Sequence, residues 1–484
     1  MPLTHDAPER RRWLALYILC LGVLMIVLDT TIVNVALPSI RASLGFSDAS
    51  LSWVVNAYML TFGGFLLLGG RLGDLLGQRR MFLAGIALFT LTSCLCGLAT
   101  TRELLVAARA VQGVGGAVVT AVALSLIMAL FTTPGDRARA MGIYGFVCAS
   151  GGSVGVLLGG VLTRTLNWHW VFLVNLPVGA AVYALCLRLL PGERGAHLPA
   201  RLDVGGAVSV TAAVILAVYA IVDAHASGWT STRTLVLLGS ALVLFVLFIA
   251  TELRVSEPLV PLRLFRLRNL ATANAIGVLW AAAMFAWFFM SALYMQLVLG
   301  YDALGVGLAF LPANLIMAAF SLGLSARVVL RFGIRAPIVV GLALAAAGLA
   351  LLARAPVAGS FVTDVLPAMV LLGVGAGVGF NPVLLAAMSD VDERESGLAS
   401  GLVNTSFLLG GSLGLATLAS IAAARTDAAL AAGAGRAQAL AAGFGLAFLI
   451  GAAFAALAAA LAAVLLRSRA TAGLPTAAAS EAQS

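Results

Sequence analysis

Apolar residues run in blocks along nearly the whole chain, separated by short polar turns. Each block is close to the ~20 residues a helix needs to cross a bilayer. The blocks fall at roughly 13–34, 51–70, 81–99, 103–131, 138–163, 169–190, 204–222 and 234–252, then at 270–298, 304–328, 334–353, 362–386, 397–423 and 438–466. Fourteen spanning helices are predicted, so the expected class is an all-α polytopic membrane protein. Composition agrees: 62% of the 484 residues are hydrophobic and 10% charged, against about 25% charged in soluble domains. No signal-peptide cleavage site or long hydrophilic stretch breaks the pattern, so no sizeable extramembrane domain is expected. Residues 467–484, rich in Ala, Thr and Ser, are expected to form a disordered cytoplasmic tail.

Charge placement tests the helix count. All 29 basic residues are Arg. With a cytoplasmic N-terminus, 21 of them fall in inside loops and flanks, 7 fall outside, and Arg109 lies within a helix. Cytoplasmic loops attract Arg, and a miscounted helix would scramble that ratio, so both termini are expected inside. The net charge of +9 is spread over these loops rather than gathered on one face, which argues against nucleic acid as a partner and for the lipid bilayer. Cys20, Cys94, Cys96, Cys148 and Cys186 all lie in apolar segments and read as packing residues. One inside loop is acidic, with Asp390, Asp392, Glu393 and Glu395 around Arg394; it is either a gate cluster or a solvated loop.

The two ends of the chain repeat each other. Arg71, Gly77, Arg79 and Gly85 meet Arg327, Gly333, Arg335 and Gly341 at an offset of 256 residues. Gly151-Gly152-Ser153-Val154-Gly155 meets Gly410-Gly411-Ser412-Leu413-Gly414 at an offset of 259. Both Arg-flanked loops lie on the inside, so the repeats are parallel, as in transporters built from two like halves. Six spanners precede residue 191, six follow residue 270, and two lie between.

Two charges stand inside spanners. Asp29 lies about two-thirds of the way along the first apolar block, where an ionised group costs several kcal/mol and by default marks a functional path. Arg109, in the fourth block, needs a partner or water, and Gln112 shares its helical face. Asn34 points about 140° away from Asp29 on an ideal helix, so these two need not serve one site.

Several motifs then fall in order: Leu28 to Pro38 in the first helix, Gly70 to Arg80 after the second, Arg109-Ala110-Val111-Gln112-Gly113 in the fourth, Trp168 to Pro177 at the sixth, and Gly300-Tyr301 later. On these motifs the chain resembles the major facilitator superfamily, specifically its fourteen-spanner drug:proton antiporter branch, over nearly its whole length. The resemblance implies the major facilitator fold, with two six-helix bundles at 13–190 and 270–466 around a central cavity and two extra central helices within 191–269. It implies a multidrug-efflux antiporter of the bacterial plasma (inner) membrane, exchanging protons for a small-molecule substrate by alternating access. Asp29 and Arg109 would carry proton coupling, the alternative being a structural ion pair. Asp74 would join Arg71, Arg79 and Arg80 in a charge-relay cluster at the inside gate, the alternative being a turn with topogenic arginines. Leu75 and Gln78 replace basic residues usual in the family and thin that cluster. Gly151, Gly155 and Gly159 fall where the family carries an exporter signature, although Val156 replaces its usual proline; close helix packing is the other reading.

For substrate, amide and aromatic residues on cavity-directed helices are the candidates: Asn34, Trp53, Asn56, Tyr58 and Gln112 in the first half, and Trp287, Tyr294, Gln296, Asn404 and Phe407 in the second. Aromatic walls with few charges suit hydrophobic or cationic organic compounds; packing or lipid contact is the alternative for each ring. No Gly-rich phosphate loop occurs, and His5, His169, His197 and His225 are scattered. No cofactor, metal or enzymatic activity is expected, and a monomer is. The rival functions are a dedicated exporter of one metabolite or lipid, an uncoupled facilitator, and a non-transporting sensor. The two accessory helices contain few polar residues and are expected to face lipid or pack.

Overall fold

A computed structural model describes residues 9–47, 50–131, 133–190, 204–255, 258, 262–320, 324–391 and 396–466. Among these residues every regular element is helical. The first half holds α1 (Glu9–Leu44), α2 (Trp53–Leu76), α3 (Gln78–Gly97), α4 (Arg102–Leu130), α5 (Pro134–Thr165) and α6 (Trp170–Leu189). The accessory pair is α7 (Val204–Ser227) and α8 (Thr232–Glu252). The second half holds α9 (Arg268–Leu297), α10 (Ala303–Ala319, continuing in Ser325–Phe332), α11 (Arg335–Leu352), α12 (Leu366–Met388), α13 (Ser396–Ala431) and α14 (Arg436–Leu465). Ten of these are long and apolar enough over the described residues to cross a membrane.

Each half is a six-helix bundle wired in the same way. In the first, α1 packs on α4, α5 and α6, α4 packs on α2 and α3, and α3 packs on α6. In the second, α9 packs on α12, α13 and α14, α12 packs on α10 and α11, and α11 packs on α14. These are the same pairs shifted by eight helices. The repeated glycines explain the repeated turns: Gly77 and Gly333 adopt φ of 99° and 73°, a region that glycine enters without steric cost.

The halves meet along two seams, α2 against α13 and α5 against α10, a pair that the duplication interconverts. At the end where α1 and α9 finish, Gln296 Nε2 on α9 donates to Val35 O on α1 at 3.1 Å, and Arg164 pairs with Asp302 at 3.2 Å. Helix α7 lies over one seam only, touching both α2 and α13. There Ser420 Oγ donates to Ile221 O at 3.1 Å, and Gly64 lies against Thr211. Helix α8 packs on α7 and exposes Leu235, Val236, Leu242, Val243, Val246 and Leu247, the composition of a lipid-facing surface.

Several ends differ from the sequence expectation. α1 runs to Leu44 through Pro38, well past residue 34, and its 36 residues reach about 54 Å at 1.5 Å per residue. The sixth spanner has a jog at Val174 between two helical pieces, where Pro177 removes a backbone donor. Residues 191–203 and the tail expected at 467–484 lie outside the described residues.

Gly151, Gly155 and Gly159 form the close face of α5 against α1, opposite Val27, Leu28 and Thr31, and Ile32 respectively. A Cβ at Gly155 would collide with Thr31 Oγ1 and crowd the Leu28 carbonyl. Gly155→Val is therefore expected to cost roughly 1–3 kcal/mol, the usual penalty for overpacking, and to displace the turn that carries Asp29. Thermal unfolding of the purified protein in detergent checks this; an unchanged midpoint would mean that α5 yields freely.

Candidate functional site

Asp29 and Arg109 meet inside the first half. Asp29, on α1, is 0% exposed and Arg109, on α4, is 1% exposed. Arg109 Nη1 donates to Asp29 Oδ2 at 2.5 Å and to Gln112 Oε1 at 2.8 Å. Its Nε donates to Val54 O, in the first turn of α2, at 3.0 Å. The guanidinium lies 4.3 Å from the centre of the Tyr58 ring and 5.6 Å from that of Phe172, within range of cation–π attraction.

The other Asp29 oxygen, Oδ1, accepts from Gln112 Nε2 at 3.0 Å and from Asn175 Nδ2 at 3.0 Å. Asn175, on α6, also donates to Ser93 Oγ on α3 at 3.0 Å, and Ser93 Oγ donates to Phe172 O at 2.9 Å. Cys96 Sγ reaches Gln112 Oε1 at 3.6 Å. Five helices thus converge on one carboxylate–guanidinium pair.

Stripping two ions of water is costly, and attraction between them repays the cost only when the remaining donors and acceptors are also filled. Here Asp29 accepts three hydrogen bonds from three side chains, the arrangement that makes a buried charge tolerable.

The predicted residues separate into three places. Gln112 and Tyr58, expected to touch substrate, belong to the ion cluster: Gln112 follows Arg109 by three residues and Tyr58 lies beneath its guanidinium. Trp53, Asn56 and Gln296 lie on surfaces between elements. The Trp53 ring centre is 6.3 Å from that of Tyr219 on α7, Gln296 joins the halves, and Asn56 is 0% exposed. Tyr294 is held by the backbone, donating from its hydroxyl to Pro356 O at 2.7 Å, and Asn34 Nδ2 lies 3.5 Å from Thr30 O.

The third place is an aromatic group within the second half. Phe407 on α13 is half-buried and lies 5.9 Å from Phe285 on α9 and 5.5 Å from Phe380 on α12, ring centre to ring centre. Asn404, one turn before Phe407, is exposed. Trp287 is fully buried, its ring centre 4.5 Å from that of Phe288 and 6.3 Å from that of Phe310.

The loop expected over Gly70–Arg80 is instead mostly helix: α2 runs to Leu76 and Gly77 alone separates it from α3. The side chains of Arg71 and Asp74, within α2, lie outside the described residues. Arg79 Nη2 donates to Leu187 O at 2.7 Å, tying the start of α3 to the end of α6, and Arg80 is exposed. In the acidic loop, Asp392, Glu393 and Glu395 also fall outside the described residues. Asn175, which the sequence places only within a motif, is the functional candidate that residue-by-residue reasoning missed. An amide within an apolar block, two residues before Pro177, was the available signal.

Asn56 shows a different chemistry. It precedes Gly63 by two helical turns on the face where Gly63 meets Leu408 of α13, and neither of its amide atoms has a partner among the described residues. An unpaired buried polar group costs about 1–3 kcal/mol. Asn56→Leu, of similar size, is expected to raise the thermal midpoint by relieving that cost; a lowered midpoint would show that the amide stabilises the seam.

Comparisons with known proteins agree with the architecture. The family model described as Major Facilitator Superfamily matches residues 19–415. The puromycin resistance protein of Streptomyces alboniger is 40% identical over 88% of this chain and 85% of its own length. The cephamycin export protein of Amycolatopsis lactamdurans is 39% identical over 85% of each chain. A bacterial homolog of the human lysosomal transporter Spinster, solved inward-facing and occupied, superposes with a TM-score of 0.68 at 16% identity, covering 96% of this chain and 98% of its own. Both the motifs and the fold lead to one assignment: the chain belongs to the major facilitator superfamily.

Proposed function

We propose that the chain is a proton-coupled antiporter that exports hydrophobic or cationic organic compounds across the bacterial plasma membrane, with both termini in the cytoplasm. The single observation that carries the reading is the buried Asp29–Arg109 pair between α1 and α4, whose carboxylate accepts three side-chain hydrogen bonds. Proton coupling needs a carboxylate whose charged form is penalised by burial and favoured by a nearby cation. Asp29 is fully buried and accepts a hydrogen bond from the Arg109 guanidinium. Relatives named for puromycin resistance and cephamycin export support efflux as the direction of transport.

In mechanism, the halves at 13–190 and 270–466 rock about the two seams. The end joined by Gln296 with Val35 and by Arg164 with Asp302 is taken as the outer one. There the contacts must break to release substrate. Phe407, Phe285, Phe380 and Asn404 form the substrate wall of the second half. Arg71, Asp74, Arg79 and Arg80 act at the inner gate. Protonation of Asp29 favours one state, and substrate favours the other.

The test is uptake of a lipophilic cation and of puromycin into inside-out vesicles. Uptake that follows an imposed pH gradient, and collapses with a protonophore, supports antiport. Uptake of the same size without a gradient would make the protein a facilitator.

A further inference from the structure

We propose that Asn175 is a positioning residue for the proton site, holding the Asp29 carboxyl in place whether or not it carries a proton. The proposal rests on Asp29 as the proton-binding group and adds a part to that site.

The geometry leaves the Asn175 amide little freedom. Its two N–H hydrogens have two acceptors, Asp29 Oδ1 and Ser93 Oγ, each at 3.0 Å. The Ser93 hydroxyl hydrogen is committed to Phe172 O at 2.9 Å, so Ser93 meets Asn175 as an acceptor. Flipping the amide would set its oxygen against both the carboxylate and the serine oxygen. Asn175 is 3% exposed and Ser93 0%, so water offers no substitute. The jog at Val174, between Trp170–Leu173 and Asn175–Leu189, places Asn175 at the start of the long piece of α6.

Asp29 is therefore gripped from two sides by different chemistry. From α4, Arg109 and Gln112 approach it, and the Arg109 attraction depends on the carboxylate charge. From α6, a neutral amide donates; it keeps a hydrogen bond to the carbonyl oxygen of the protonated acid, weaker than the one it makes to the carboxylate. On protonation the α4 grip weakens while the α6 grip persists. α1 then stays registered to α6 and α3, and Arg109 is the group set free. Arg109 also holds Val54 O of α2, and α2 forms one seam between the halves. The charge change is thereby directed into α4 and α2 rather than dissipated in motion of the Asp29 side chain.

The charged and titratable groups facing Asp29 among the described residues are Arg109 from α4, Tyr58 from α2 and Cys96 from α3. None of them lies on α6.

The experiment measures proton release from purified protein in weakly buffered detergent on adding tetraphenylphosphonium, across a pH series. It compares wild type with Asn175→Ala, Asn175→Leu and Asp29→Asn. Leu keeps the bulk of Asn, which guards against a variant that merely fails to fold. The expected result is a release profile displaced to higher pH by about one unit in the folded Asn175 variants, a tenfold rise in proton affinity on losing a hydrogen bond that favours the charged carboxylate. Smaller release at an undisplaced pH would overturn the proposal and leave Asn175 a packing residue. The prior reading is tested separately: release that persists in Asp29→Asn removes Asp29 itself, whatever the Asn175 variants do.

Discussion

Arg109→Ala is expected to lose about 3–5 kcal/mol of stability, because it leaves the Asp29 carboxylate buried with no counter-ion. The loss has identifiable parts. Asp29 Oδ2 loses its charged donor, Val54 O and Gln112 Oε1 each lose a hydrogen bond, and the Tyr58 ring loses the cation above it. Natural proteins hold on the order of 5–15 kcal/mol in total, so little folded protein should be recovered at 37 °C. Adding Asp29→Asn to Arg109→Ala removes the orphan charge and should restore much of the loss, since a buried pair replaced as a unit is far less costly than a pair broken. Thermal unfolding of the four proteins in detergent measures this coupling directly. If Arg109→Ala alone unfolds like wild type, water already reaches Asp29, and the buried site described above is wrong.

Asp29→Asn carries the second large effect. The amide keeps nearly the shape of the carboxyl but fixes its charge at zero, so a pH gradient no longer has a group through which to bias the two states. A ligand that does not distinguish two states shifts neither, and the same holds for protons once their site is gone. Gradient-driven uptake is expected to fall by about 100-fold, equivalent to losing a bias of roughly 2.7 kcal/mol. Substrate exchange at equal pH on both sides is expected to continue, because it requires the cavity and the rocking motion but no net proton transfer. Uptake and exchange falling together would mean that Asp29 maintains the bundle rather than the coupling.

The architecture was legible in the sequence because its causes are local. Apolar blocks of spanning length set the helices. The repeat at Gly77 and Gly333 is a repeated backbone conformation, which is why the same residue stands at both. Helix ends were less legible: α1 and α13 continue past the apolar blocks, to Leu44 and Ala431.

The site was legible only in part. Gln112 lies three residues from Arg109, so its helical face already pointed to the ion cluster. Tyr58 could not be placed this way, since its position depends on how closely α4 approaches α2. Gly113 lets them nearly touch: a Cβ there would collide with Thr61 Oγ1 and Tyr58 O. Trp53 belongs to a third kind of case. It packs toward Tyr219 because α7 lies over the α2–α13 seam, and nothing in the apolar sequence of α7 states which seam it covers. Asn175 depended on the jog at Val174, a tertiary feature that no helical wheel reproduces.

Substrate-evoked proton movement in proteoliposomes, with wild type and Asp29→Asn compared at zero membrane potential, tests the central claim most directly. Protons should move opposite to the added lipophilic cation in wild type and not in the variant. Equal proton movement in both proteins would contradict Asp29 as the coupling group.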